Sequence, residues 1–185
     1  MYEAKTFSIP TMEGISPQTI ESHLGLYVGY VKHVNKIRAE LKNVNDEYAQ
    51  AEMQRRLGFE FGGMKNHEYY FTQFEGGAAD CPDSTFKNMV EAQYGGIESF
   101  IDRLKTLAKT RGVGWVMCYI DRAHKELVLA WIDEQHLGQL ADVDIVLALD
   151  MWEHSYMMDH TPANKADYVD AFFNNLNWSV VAGRV

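Results

Sequence analysis

Two cysteines, Cys81 and Cys118, in a chain of 185 residues leave no material for a disulfide framework, and neither sits in a C-x-x-C pair. On composition both read as free thiols of a reducing compartment, and the cytoplasm is the expected location. Long hydrophobic runs are also missing: none approaches the roughly 20 residues that a spanning helix needs, so no membrane partner is expected. The first twenty residues mix acids and prolines with no continuous apolar block, and do not read as a secretory signal. Positive charge is scarce, with 17 Lys and Arg against 26 Asp and Glu for a net charge of -9. Nucleic-acid binding rests on clustered cations, so that balance excludes nucleic acid as an expected partner. It leaves room for a small anionic substrate, because a local group of positive charges can focus an anion into a cleft. What remains is an ordinary globular composition, 46% apolar and 23% charged, long enough to bury a sizeable core. There is no internal repeat and no low-complexity segment.

The first half reads as helix. Ser16-Pro17 pairs a capping residue with a first-turn proline, a strong start signal. Ile20, His23, Leu24, Tyr27, Val31, Val34 and Ile37 then recur at three- and four-residue spacing, which predicts one apolar stripe ending near Leu41. A turn at Asn43–Asp46 leads to a second helical stretch from about Glu47 to Phe74, expected to be interrupted or kinked around Gly58 and Gly62-Gly63. Two long helices joined by a short turn should pack as an antiparallel hairpin. Gly76 to Asp83 is glycine- and turn-rich and reads as the linker. Helices follow around Ser84–Gln93 and Ile97–Lys109. Val113–Ile120 and Leu127–Ile132 are rich in β-branched and aromatic residues and read as a hairpin, with Val143–Leu149 a third strand. The stretch from Ala163 to Val181 returns to helical spacing. The expected class is α+β: an N-terminal antiparallel long-helix hairpin (1–78), then an α/β domain with a small three-stranded antiparallel sheet (79–185).

The densest chemistry lies in DMWEHSYMMDH, Asp150 to His160, just beyond the third strand. Asp150 and His154 are four apart, so one turn brings a carboxylate and an imidazole to the same side. Alone, D-x-x-x-H is common by chance. His23 on the inward stripe of the first helix, and His67 on the second, add to it. Taken singly, each is more often a hydrogen-bonded core histidine than a ligand. Antiparallel helices can nonetheless place one inward histidine from each at the same level, and Asp150 with His154 would complete three nitrogens and one oxygen. Such a set with one open position suits iron or manganese redox chemistry better than structural zinc, which prefers thiolates.

DMWEHSY resembles the D-x-W-E-H-A-Y signature of iron/manganese superoxide dismutases, with Ser155 for the usual alanine. TIESH at Thr19–His23 is similar to the family's first-ligand segment, and GGMKNHEYYF at Gly62–Phe71 to its G-G-H-x-N-H stretch. YGGIESF at Tyr94–Phe100, GVGW at Gly112–Trp115 and YVDAFFNNLNW at Tyr168–Trp178 resemble further family segments in the right order. The resemblance implies one iron or manganese ion per subunit, held between the two domains by His23, His67, Asp150 and His154. It implies disproportionation of superoxide to dioxygen and hydrogen peroxide by alternate reduction and oxidation of that ion. It also implies a homodimer or tetramer in which Glu153 reaches the partner's His154, while Trp115 and Trp152 wall the pocket. For the two tryptophans, plain core packing is an equally good reading and does not exclude the other.

The outer shell departs from the family pattern. The usual histidine and tyrosine, four and eight residues after the first ligand, are Tyr27 and Val31 here, while Tyr30 stands seven after. A one-residue shift turns a helix by about 100°, so both Tyr27 and Tyr30 are candidates to face the metal. Met157 replaces a tyrosine three after the last ligand, Phe71 a common tryptophan, and Lys165 stands near a usual arginine. The glutamine expected to bond metal-bound solvent is absent four before His67, where Gly63 stands. Gln135, by its spacing to Asp150, is the favoured alternative, with His136 next to it; a solvated loop position is the other reading of His136. Two rival functions remain open at this level. One is a family relative that kept the fold but binds or scaffolds, as the altered Val31 and Met157 positions suggest. The other is a different metalloenzyme, such as an oxygenase, on the same ligands.

Overall fold

The Ser16 side chain accepts a hydrogen bond from the Thr19 backbone N–H, and Pro17 fills the first turn, so the first helix begins where its capping pair predicts. The computed structural model describes residues 1–185. Helix α1 (Pro17–Glu40) buries His23, Tyr27, Val31 and Val34 of the predicted stripe together with Thr19, while Ile20, Leu24 and Ile37 are half-buried. Asp46 caps helix α2 (Glu47–Thr72) by accepting from the Ala49 N–H. The two helices form the expected antiparallel hairpin.

One expectation fails in α2. The helix runs unbroken through Gly58, Gly62 and Gly63. These glycines serve close approach instead of a break. A Cβ on Gly62 would collide with the Gln135 carbonyl oxygen, and one on Gly63 would sit 2.5 Å from Cδ1 of Tyr30. Glycine in a helix interior costs about 1 kcal/mol relative to alanine, and here it gives room to a loop and a neighbouring ring.

Helix α3 (Thr85–Tyr94) follows its cap Ser84 and ends at Gly95, whose φ of 79° is the left-handed conformation that suits glycine. Helix α4 (Ile97–Ala108) leads into strands β1 (Gly114–Asp121), β2 (Glu126–Asp133) and β3 (Asp144–Asp150). The sheet is antiparallel in the order β2-β1-β3, so β1 is central and buried from Gly114 to Ile120. Its register places Trp115 opposite both Ile132 and Asp150. A bulge between Cys118 and Tyr119 shifts the pairing with β3.

The C-terminal stretch is less regular than its periodicity predicts. A 3-10 turn at Pro162–Asn164 precedes helix α5 (Lys165–Asn175), and the chain then breaks at Leu176-Asn177 before helix α6 (Trp178–Ala182). The break has a physical cause. The backbone there pairs with other segments, through Asn177 N–H to Gln73 O and Ala79 N–H to Leu176 O, so it cannot continue the helix ladder.

Helix α2 meets β3 through Gln73, whose side chain donates to Ala148 O at 2.6 Å and accepts from Ala148 N. Arg184 closes the far end of the same junction by donating to Tyr69 O and Val146 O. One continuous apolar core runs from Tyr27, Val31 and Val34 in α1, through Trp115–Ile120 in β1, to Phe172 and Val181 near the C-terminal end. The three segments that bear the DMWEHSY histidine and acid, His23 and His67 therefore converge on one buried region.

Candidate metal centre

Four side chains meet in that region. His23 from α1, His67 from α2, Asp150 at the end of β3 and His154 in a 3-10 turn (Glu153–Ser155) present donor atoms all within 4.8 Å of one another. Oδ2 of Asp150 lies 3.1 Å from Nε2 of His23, 3.7 Å from Nε2 of His67 and 3.1 Å from Nε2 of His154. Donors held about 2.1 Å from a single ion would subtend angles of about 95° to 125° at these separations. Donors on opposite sides of that ion would lie about 4.2 Å apart, close to the spread seen here.

The protonation pattern fits an ion. Nδ1 of His67 donates to Gly63 O at 2.6 Å, so its Nε2 is left without a proton. That atom is buried and has no hydrogen-bond partner within the chain, and neither does Nδ1 of His23. A buried, lone-pair nitrogen beside a carboxylate and two more imidazoles is unsatisfied by protein alone, and three nitrogens with one oxygen suit a first-row transition metal. Burial, and next the neighbouring His23, pushes His67 down to about 3. Burial lowers His23 as well, against the opposing pull of Asp150. Burial alone would raise the Asp150 carboxyl, but His154 and then His23 hold it below the usual carboxylate range. His23 and His67 therefore rest as neutral imidazoles beside an ionised carboxylate, the forms that bind metals.

Asp150 is fixed on every side. Its Oδ1 accepts from the Trp152 N–H at 2.8 Å, and its carbonyl accepts from the Ser155 hydroxyl and, at 2.8 Å, from the Tyr168 hydroxyl. Ser155, the departure from the usual alanine, thus ties the turn bearing His154 to the end of β3. Tyr168 was visible in the sequence only as part of a helical stripe. The signal for its role is general: a fully buried tyrosine needs a partner for its hydroxyl.

The two candidate tyrosines separate clearly. Tyr30, two turns above His23, turns toward the cluster with its ring centroid 5.0 Å from that of His67, and its hydroxyl accepts from Nε2 of Gln135 at 3.0 Å. Tyr27 faces the other way, into Phe7 and Phe71, and its hydroxyl accepts from the Lys5 N–H. Gly63 makes the difference, since only glycine leaves space for the Tyr30 ring.

Gln135 and His136 separate as well. Gln135 is fully buried, with Oε1 accepting from Nε1 of Trp115 at 3.0 Å and Nε2 facing Tyr30. The indole N–H can only donate, so it fixes which way the Gln135 amide points. His136 instead packs edge-on to Phe59 and over Gly58, makes no hydrogen bond to any of the four donor residues, and leaves Nδ1 unpaired. Trp115 stands edge-on to His67 at 5.1 Å, and Trp152 stacks on His154 at 5.7 Å while donating to Glu134 O. Both tryptophans line the cluster as well as the core. Glu153 is exposed and has no partner within the chain, His154 keeps a side chain 20% exposed, and Met157 is exposed nearby. Lys165 lies apart, donating to Thr110 O. Asn66 completes the surroundings by donating to the Gln135 carbonyl, a role no sequence signal announces.

Comparison with known proteins agrees with the geometry. The family described as iron/manganese superoxide dismutases, C-terminal domain, matches residues 82–184. An iron superoxide dismutase of Cupriavidus metallidurans is 33% identical over 201 residues, covering 100% of this chain and 96% of that protein. One from Aquifex pyrophilus is 30% identical over 183 residues, covering 94% and 85%. A manganese superoxide dismutase of Mycobacterium leprae is 25% identical over 179 residues, covering 89% and 86%.

Proposed function

The chain belongs to the iron/manganese superoxide dismutase family, and from that premise we propose that it converts two superoxide anions and two protons into dioxygen and hydrogen peroxide. The observation that carries the reading is the buried His23–His67–Asp150–His154 cluster with its unprotonated, unpartnered His67 nitrogen. One iron or manganese ion, bound by these four residues, would supply the one-electron exchange with superoxide.

The residues around the cluster have defined tasks in this reading. Gly63 O holds the proton of His67 on Nδ1 and so keeps Nε2 free for the ion. Trp115 turns the Gln135 amide so that its NH2 faces the site. Because Tyr30 accepts from Gln135, its own proton is free to donate inward. Burial, and next the charge of Asp150, raises the Tyr30 phenol, which therefore stays protonated at neutral pH and available to a peroxide-level product. Trp115 and Trp152 keep bulk water from the donors and lower the local dielectric. On this reading the metal would be held between an N-terminal helical domain (1–78) and a C-terminal α+β domain (79–185), by His23 and His67 of the first and Asp150 and His154 of the second.

The reading includes a homodimer. Glu153, exposed and without a partner in its own chain, reaches His154 of a second copy across a twofold axis. Glu153→Ala should lower the dimer fraction in sedimentation equilibrium; an unchanged dimer would remove Glu153 from that role. No helix is long and apolar enough to cross a membrane, and both cysteines are free, which fits the proposed cytoplasmic location.

The deciding experiment is superoxide decay by pulse radiolysis on protein loaded separately with iron and with manganese, with bound metal quantified. Fast catalytic decay with one ion supports the reading and names the metal. Stoichiometric metal without turnover in either form would refute it in favour of a metal-binding relative.

A further inference from the structure

Beyond the cluster, a chain of three polar side chains runs from β1 to the Gln135 backbone. The Tyr119 hydroxyl donates to Oε1 of Gln139 at 2.6 Å. Nε2 of Gln139 donates to Oδ1 of Asn66 at 3.1 Å, and Nδ2 of Asn66 donates to the Gln135 carbonyl at 3.0 Å. Tyr119 and Asn66 are almost fully buried, and Gln139 is half-buried in the loop after β2.

This chain has one self-consistent direction, and the fixed end sets it. A backbone carbonyl can only accept, so Asn66 must present its NH2 to Gln135. The Asn66 oxygen then faces Gln139, which must present its own NH2. The Gln139 oxygen is left facing Tyr119, whose hydroxyl must donate. The same Gln135 carbonyl lies against Gly62, where no side chain is tolerated. A second set of bonds holds the other end of the residue, from Trp115 to its Oε1 and from its Nε2 to Tyr30.

We propose that Tyr119 and Gln139 are positioning residues that hold the Gln135 amide in register with the metal cluster by polarising Asn66. This rests on the dismutase reading for its functional consequence, and on hydrogen-bond direction alone for its structural one. Directional chains of this kind strengthen each member, and a reversed link costs more than a missing one.

The reversal can be made by substitution. Gln139→Leu removes a donor from Asn66 and creates no conflict. Gln139→Glu keeps the size but offers only acceptors. Two acceptors must then face each other, either at Asn66 or, if Asn66 turns over, at the Gln135 carbonyl. Tyr119→Phe takes the donor from the Gln139 oxygen but keeps every link from Gln139 to the Gln135 carbonyl, and should be mildest. A packing role for Gln139 gives the opposite order, with Leu worse than Glu.

The test uses these three variants with two readouts. The first is the Trp115 indole N–H resonance in ¹H–¹⁵N spectra of the metal-free protein. The second is superoxide turnover per bound metal in the loaded protein. The resonance should move most in Gln139→Glu, less in Gln139→Leu and least in Tyr119→Phe. Turnover should fall in the same order, by about threefold to tenfold for Gln139→Glu, less than the 10- to 100-fold typical of groups bonded directly to metal ligands. An unmoved indole resonance in Gln139→Glu, or a larger change in Gln139→Leu, overturns the proposal. If the parent protein shows no turnover, the dismutase reading fails while the indole order still decides the positioning claim.

Discussion

Four of the five glycines in the two long helices lie at positions where alanine should have opposite effects, and the structure sets the size of each. Gly25 and Gly29 in α1 have nothing within 4 Å of an added Cβ. Alanine there should stabilise by up to about 1 kcal/mol each through helix propensity. For a chain of this size, that is a rise in Tm of about 2–4 °C per kcal/mol. At Gly63 a Cβ would meet Tyr30 Cδ1 at 2.5 Å, Cε1 at 2.6 Å and Cγ at 2.9 Å. Carbon atoms pack at about 3.5–4.0 Å, so the ring must retreat by about 1 Å. Overpacking of that kind costs about 1–3 kcal/mol, which the propensity gain offsets in part, leaving a net loss of about 0–2 kcal/mol. The larger effect is on rate. The retreat pulls the Tyr30 hydroxyl from Gln135, and losses of about tenfold or more are expected when such outer partners are displaced. At Gly62 the colliding atom is the Gln135 carbonyl oxygen, which cannot swing aside without losing its bond from Asn66. Gly62→Ala should therefore be the least stable of the set, by about 1–4 kcal/mol. Urea unfolding of the metal-free proteins and superoxide turnover of the loaded ones measure both effects. The reasoning is refuted if Gly63→Ala gains stability like Gly25→Ala and keeps the parental rate.

Other consequences follow from single contacts. Tyr30→Phe should lower turnover with little change in metal content, whereas Tyr27→Phe should leave turnover intact and cost about 1 kcal/mol by freeing the Lys5 N–H; the reverse pattern would reassign the two tyrosines. Chelation should lower the Tm, and returning metal at 100 times its Kd should restore about 2.7 kcal/mol in the parent but not in His67→Ala; equal rescue of both would exclude His67 as a ligand. Burial alone would raise the Asp159 carboxyl, but bonds from the Ser16 N–H and the Thr19 hydroxyl hold it below its ordinary value. As pH falls, the unfolded chain takes up this proton first, so the stabilisation is whole above about pH 4 and is lost as pH drops toward the depressed folded value. The urea-midpoint gap between parent and Asp159→Asn should accordingly narrow between pH 6 and pH 3; a constant gap would show that the charge is irrelevant.

What was legible in the sequence depended on how local the cause was. Ser16-Pro17, Asp46 and Ser84 announce helix starts because a cap acts within one turn. The three strands emerge within one residue of their expected bounds, since β-branched and aromatic runs mark them. Gly58, Gly62 and Gly63 read in the sequence as an interruption or kink because propensity sees the glycine and not the Gln135–His136 loop and Tyr30 ring that lie against it. Tyr27 and Tyr30 were inseparable for the same reason: both lie near the inward face, and only the gap at Gly63 selects between them. Gln135 was reachable through spacing to Asp150. The Tyr119–Gln139–Asn66 chain was not, because its members come from β1, a loop and α2, and become neighbours only when the sheet packs on the hairpin.

The pairing of His23 with Asp150 spans 127 positions of the chain. At about 5–20 residues per second, a ribosome needs roughly 6–25 s to make that stretch. Throughout that interval His23 lacks its carboxylate, His67 joins it only partway, and a helical hairpin with two imidazoles holds a metal ion far less firmly than the finished set. On the proposed function, the four donors come together only once β3 has docked, so firm capture of an ion waits for that step.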